Sequence, residues 1–139
     1  MEHFSQFTHN HWQLSVALVV IFIAIFIYEY VALQKQGKTL TPEAAIVLMN
    51  HENAVVFDLR TAELFKGGHI IDSIRASDAD FNLPKMDKYK SKLIILVCAR
   101  GVQSAALAVS LRAKGFTQPM VLAGGIAAWQ SASLPLVKK

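Results

Sequence analysis

The 139-residue chain holds one cysteine, Cys98. A single thiol excludes an intrachain disulfide, a Cys-x-x-Cys redox pair and any multi-cysteine zinc or iron–sulfur site. Cys98 directly follows Leu93-Ile94-Ile95-Leu96-Val97, the longest wholly apolar strand signal beyond residue 34. Ala99-Arg100-Gly101-Val102-Gln103 comes next as a loop, and Ser104 and Ala105 open a helical stretch. In an open parallel sheet, ligands bind at the carboxyl ends of the strands, where such loops enter the next helix. Gly101 permits a left-handed or tightly curved backbone. Successive amides along that curve form an anion-binding nest, reinforced by the positive end of the helix. A sulfur at its centre is favoured as thiolate, and Arg100 adds positive charge. This pattern suits a nucleophilic thiol that must also hold an anionic product. The competing reading is an inert cysteine packed as a small apolar residue. The strand-end position and the glycine-containing loop favour the reactive thiol.

The elements that position Cys98 follow from alternating strand and helix signals over residues 39–139. Thr41-Pro42-Glu43 is a helix start, with a threonine N-cap, proline at the first helical position and an acid in the first turn. Ala54 to Phe57 reads as a short buried strand, and Asp58-Leu59-Arg60 leaves its end. Thr61 to Phe65 is a brief helical turn stopped by Gly67-Gly68. Ile70 to Ala76 is a weaker strand, and Asp78 to Lys92 is loop and short helix around Pro84. The helix after Cys98 is expected over Gln103–Lys114, ended by Gly115. A last strand over Pro119–Leu122 leads through Gly124-Gly125 into a helix carrying Trp129. Such alternation predicts an α/β fold with a mostly parallel central sheet.

The rest of the chain is of a different character. Apolar residues make up 53% of the sequence, which excludes a disordered chain, yet the net charge is +4. The first 33 residues carry Glu2 and Glu29 and no Lys or Arg; all 14 basic residues and the other 8 acids follow, giving −2 and +6. Trp12 to Leu33 is a 22-residue apolar stretch, and crossing the hydrocarbon layer takes roughly 20 residues. Trp12, Tyr28 and Tyr30 stand where interfacial aromatics belong, and Glu29 lies near the end. Lys35 and Lys38 follow at once, so the positive-inside rule puts the N-terminus outside and the domain in the cytoplasm. A cleaved signal peptide would carry a basic start and an Ala-x-Ala site, and a buried helix would show a polar stripe. Neither is present. The expected layout is an extracytoplasmic tail over 1–11, a transmembrane helix over 12–33, a linker over 34–38 and a domain over 39–139. His3, His9 and His11 read as solvated tail residues, and no metal is expected.

Three segments, VVFDLRTAELFKGGHI (55–70), LVCARGVQSA (96–105) and VLAGGIAAWQSASLP (121–135), together resemble a single-domain rhodanese, a sulfurtransferase. The shared marks are Asp58 and Arg60, Gly68-His69-Ile70, the Cys98–Gln103 loop followed by Ser104, and Gly124-Gly125 with Trp129. The anchored layout is similar to membrane-tethered bacterial rhodaneses of the inner membrane. The resemblance implies a three-layer rhodanese-like domain. It further implies that Cys98 becomes a persulfide by attacking a small anionic sulfur donor, such as thiosulfate or a persulfide. Ala99, Arg100, Gly101, Val102, Gln103 and Ser104 would bind the sulfur, and a thiol or cyanide would accept it. No cofactor is implied.

Many active members carry arginine at the second and sixth loop positions, here Ala99 and Gln103; Arg100 stands third. Dual-specificity phosphatases of the same fold need an arginine six positions after the cysteine, where this chain has Ser104. A catalytically silent rhodanese module used for membrane-tethered protein interaction is the alternative from another class. Asp58 and Arg60 are expected to brace the cysteine loop, and His69 and Trp129 to serve the fold. Lys85, Lys88, Lys90 and Lys92 are interleaved with Asp87 and Tyr89 and read as a solvated face, with membrane lipid as the one surface partner. No motif supports nucleic-acid binding.

Overall fold

The computed structural model describes residues 11–35 and 38–138. The tail with His3 and His9, and Gln36 and Gly37 of the linker, lie outside the described residues. The chain divides into two units, Met1–Lys35 and Gln36–Lys139.

The described residues of the first unit form one helix, α1 (Trp12–Lys35). None of its side chains from Trp12 to Leu33 is buried, and it is long and apolar enough to cross a membrane. Leu18 to Phe22 point outward around the whole circumference. A side chain of this size gains about 1.5–3 kcal/mol on leaving water, so a helix apolar on every side has no stable face toward solvent.

The second unit contains β1 (Lys38–Leu40), α2 (Pro42–His51), β2 (Val55–Asp58), α3 (Ala62–Gly67) and β3 (Ile74–Arg75). Two 3-10 turns (Asp78–Asn82 and Pro84–Tyr89) then lead into β4 (Leu93–Val97), α4 (Val102–Ala113), β5 (Gln118–Leu122) and α5 (Gly125–Ser131). All five strands are parallel, in the order β1-β5-β4-β2-β3. The α/β reading with a parallel sheet therefore stands.

Strand alternation splits the core into two layers, as the period of two requires. Phe57, Ile94, Leu96 and Cys98 face Leu107, Ala108 and Leu111 of α4, with Phe81 and Met86 of the 3-10 turns beside them. Val56, Ile95, Val97, Met120 and Leu122 face the other way, toward Ala45 of α2 and Ile126 and Trp129 of α5. β4 lies at the centre of the sheet, and Ile94 to Val97 are wholly enclosed. Its last residue delivers the next one to the carboxyl edge at a fixed height.

Several boundaries differ from the sequence reading. β1 is an added element: the linker is expected to end at Lys38 and no element is expected over Thr39 and Leu40, since Lys38 and Thr39 are exposed and only Leu40 is buried. β2 reaches Asp58, whose register partner is Val97. The strand expected over Ile70–Ala76 shrinks to Ile74–Arg75, because Asp72, at φ +60, turns the chain just before it. α4 begins at Val102, immediately after the left-handed Gly101.

Candidate active site

Cys98 leaves β4 with its side chain in the buried layer, 3% exposed. The chain then curls back over the sulfur. Gly101 adopts φ +90, a left-handed value that only glycine takes at little cost, and its amide donates to Cys98 Sγ at 3.0 Å. One helical step later, the fully buried Ser104 donates its hydroxyl to the same sulfur at 2.8 Å. Burial pushes the thiol pKa up. The Ser104 hydroxyl and the amides of Ser104, Gly101 and Arg100 outweigh it and hold Cys98 below the ordinary thiol value. Hydrogen bonds to the charged form are what favour the thiolate here.

The sequence-read loop residues divide by what they present. Arg100 contributes its amide to the sulfur, while its side chain is exposed. Ala99, Val102 and Gln103 are exposed, with Val102 79% accessible at the start of α4. Ser104, named in the sequence as a helix opener, is the side chain nearest the chemistry.

Asp58 and Arg60 are brought together, but they do not brace the cysteine loop as expected. The Arg60 guanidinium lies against the Asp58 carboxylate at 2.8–3.2 Å and donates to the Gly68 carbonyl at 2.6 Å. Their charges sit nearly out of solvent, 9% and 1% exposed. The pair therefore clamps the β2–α3 corner onto Gly68. Asp58 adjoins the site only through backbone register with Val97.

His69 is buried in the fold. Its ring stacks on Phe65 at 4.0 Å, and Nδ1 donates to the Phe65 carbonyl at 2.8 Å. Its backbone pairs with Val137 in an isolated antiparallel bridge. Trp129 packs in the core and donates Nε1–H to the Pro135 carbonyl. Among the described residues no three His, Cys, Asp or Glu side chains converge to hold a metal.

Sequence reasoning missed the back wall of the loop. The amides of Ile126 and Ala127, in the first turn of α5, donate to the carbonyls of Cys98 (2.9 Å) and Ala99 (3.2 Å). Gly124-Gly125 stood in the sequence as the lead into a helix and as a mark of the resemblance, not as a contact with the cysteine loop. The one available signal was two successive glycines at a strand end, which marks close backbone approach.

A parallel α/β/α domain with a thiol cradled by main-chain donors at the end of its central strand defines a class. Residues 41–132 match the rhodanese-like domain, and the chain belongs to the rhodanese family. Among its relatives is the uncharacterised YibN of Escherichia coli K12, 35% identical over 99% of both chains. The thiosulfate sulfurtransferase GlpE of Pseudoalteromonas translucida is 30% identical, covering 68% of this chain and 90% of that protein. The polysulfide-sulfur transferase homodimer of Wolinella succinogenes shares the fold at TM-score 0.62 and 22% identity, over 85% of this chain and 90% of that one.

Proposed function

We propose that this chain is a membrane-anchored sulfurtransferase that carries sulfane sulfur on Cys98. The supporting observation is the convergence of the Gly101 amide and the Ser104 hydroxyl on Cys98 Sγ at the carboxyl end of β4. With thiosulfate as donor, the thiolate attacks the outer sulfur, the donor S–S bond breaks, and sulfite leaves with the electron pair. Cys98 then bears a terminal sulfur as persulfide anion, which the inward amides of Arg100, Gly101 and Ser104 stabilise. An acceptor nucleophile, cyanide or a thiolate, attacks that terminal sulfur. It leaves as thiocyanate or a new persulfide, and Cys98 departs as thiolate. The chain has no second cysteine to resolve the intermediate, so the acceptor comes from outside.

Ala99 and Gln103 place no cation around the cradle, which disfavours a dianionic donor relative to a monoanionic persulfide. Thiosulfate is therefore a weak donor and a monoanionic persulfide a better one. α1 anchors the protein in the inner membrane with the domain in the cytoplasm.

The assay is thiocyanate formation from cyanide, with thiosulfate and polysulfide as alternative donors. Turnover lost in Cys98→Ser supports the reading. Absence of transfer from either donor in the folded wild type would overturn it in favour of the interaction module. A C-terminal reporter active only in the cytoplasm tests the orientation; a silent, intact fusion would reverse it.

A further inference from the structure

The inward aim of the loop amides needs a cause, because the four-residue loop between β4 and α4 has no ladder of its own to fix its peptide planes. In a trans peptide, C=O and N–H lie in one rigid plane and point in opposite directions. The Ala99 carbonyl shares its plane with the Arg100 amide, and Ala127 N–H holds that carbonyl at 3.2 Å. Pinned outward on this side, the plane presents the Arg100 N–H on the other, where the sulfur lies. The Cys98 carbonyl is fixed the same way by Ile126 N–H at 2.9 Å. Both donors belong to the first turn of α5, whose N–H groups have no partner within the helix.

This contact requires the two backbones to touch, and Gly125 is where they do. It is buried at φ +59. A β-carbon there would collide with the Cys98 carbonyl oxygen and lie 2.9 Å from both the Ala99 carbonyl carbon and the Arg100 nitrogen. An asparagine could adopt the dihedral angle, but it could not occupy the space.

We propose that Gly125 is a positioning residue for Cys98, clasping the cysteine loop from behind so that its amides face the sulfur. The role rests on Cys98 being the sulfur-carrying nucleophile, but it concerns the state of the thiol and is measured without any sulfur donor.

The test is the pH dependence of Cys98 alkylation by iodoacetamide in the detergent-solubilised full chain, with thermal unfolding followed in parallel. In Gly125→Ala the loop is pushed off α5 and its amides turn away. Alkylation near pH 6 is expected to fall about tenfold, with reactivity retained at alkaline pH, because the thiol moves back toward its ordinary value. Gly115→Ala is the control. That residue also has positive φ, +97, but it faces only the tail of Lys90. It lies at the far end of α4, about 18 Å from the loop for a 12-residue helix. Gly115→Ala is expected to unfold at lower temperature with an unchanged alkylation profile. Should Gly125→Ala fail to fold, Ala127→Pro removes the N–H that holds the Ala99 carbonyl, and is expected to shift the profile the same way by a smaller amount.

A folded Gly125→Ala or Ala127→Pro with the wild-type profile would overturn the proposal. So would a wild-type thiol that titrates like a free cysteine. A shifted profile together with no sulfur transfer from any donor would leave Gly125 its role and remove the sulfurtransferase reading alone.

Discussion

Ser104→Ala is the perturbation with the most specific expected signature. Ser104 is fully buried and its hydroxyl is 2.8 Å from Cys98 Sγ. A hydrogen bond to a charged group contributes roughly 1.5–3 kcal/mol. The Gly101 amide at 3.0 Å remains in the variant, so the low end applies, equivalent to about one pKa unit upward. Two consequences oppose each other. At pH well below the thiol pKa the thiolate fraction falls about tenfold. The more basic thiolate is also the better nucleophile, by about threefold for one unit at a Brønsted slope near 0.4–0.5. The alkylation rate of Ser104→Ala is therefore expected to be about threefold below wild type at low pH and about threefold above it on the alkaline plateau. The two curves cross. The assay is iodoacetamide alkylation from pH 5 to 10, with folding checked by circular dichroism. Curves that run parallel, or a variant with an unshifted midpoint, would refute the claim that the hydroxyl stabilises the thiolate.

The pH dependence of stability follows from the same lowered pKa. Cys98 ionises more readily folded than unfolded, so its ionisation stabilises the fold fully above the unfolded value and loses that effect as pH falls through the folded one. The stability of wild type relative to Cys98→Ala should rise with pH across that window, read by thermal unfolding at several pH values. Asp58→Ala strands the Arg60 guanidinium in a nearly closed site and should cost about 3–5 kcal/mol in urea unfolding. His69→Phe keeps the stacking on Phe65 but loses the 2.8 Å bond to its carbonyl. It should cost about 1–3 kcal/mol and leave the midpoint of the Cys98 alkylation profile in place.

What the sequence disclosed and what it hid divide along the range of the interactions. Leu93–Val97 was legible because a central strand buried on both faces must be apolar at every position. Cys98 and Gly101 were legible because their spacing is local. Thr41 and Pro42 announced α2, and the Thr41 hydroxyl does accept from the Ala44 amide. β1 was hidden because a three-residue edge strand with one buried side chain has no periodicity to read. The 3-10 turns were legible as loop and short helix through Pro84, which starts the second of them, while their inward anchors, Phe81 and Met86, form no repeat to read. Arg60 was assigned to the wrong neighbour because the Gly68 carbonyl comes within its reach only once α3 has turned the chain back. The clasp of α5 on the cysteine loop joins residues 28 apart through main-chain atoms, Ile126 to Cys98 and Ala127 to Ala99. Side-chain identity does not record such bonds. It records only that Gly125 has no side chain.

The most direct measurement is the intact mass of the full-length protein after incubation with polysulfide or thiosulfate. Sulfur transfer through Cys98 requires a gain of one sulfur atom that disappears with a thiol reductant or with cyanide, and that is absent in Cys98→Ser. A folded wild type, with its thiol shown to be reactive by alkylation, that gains no sulfur from either donor would contradict it.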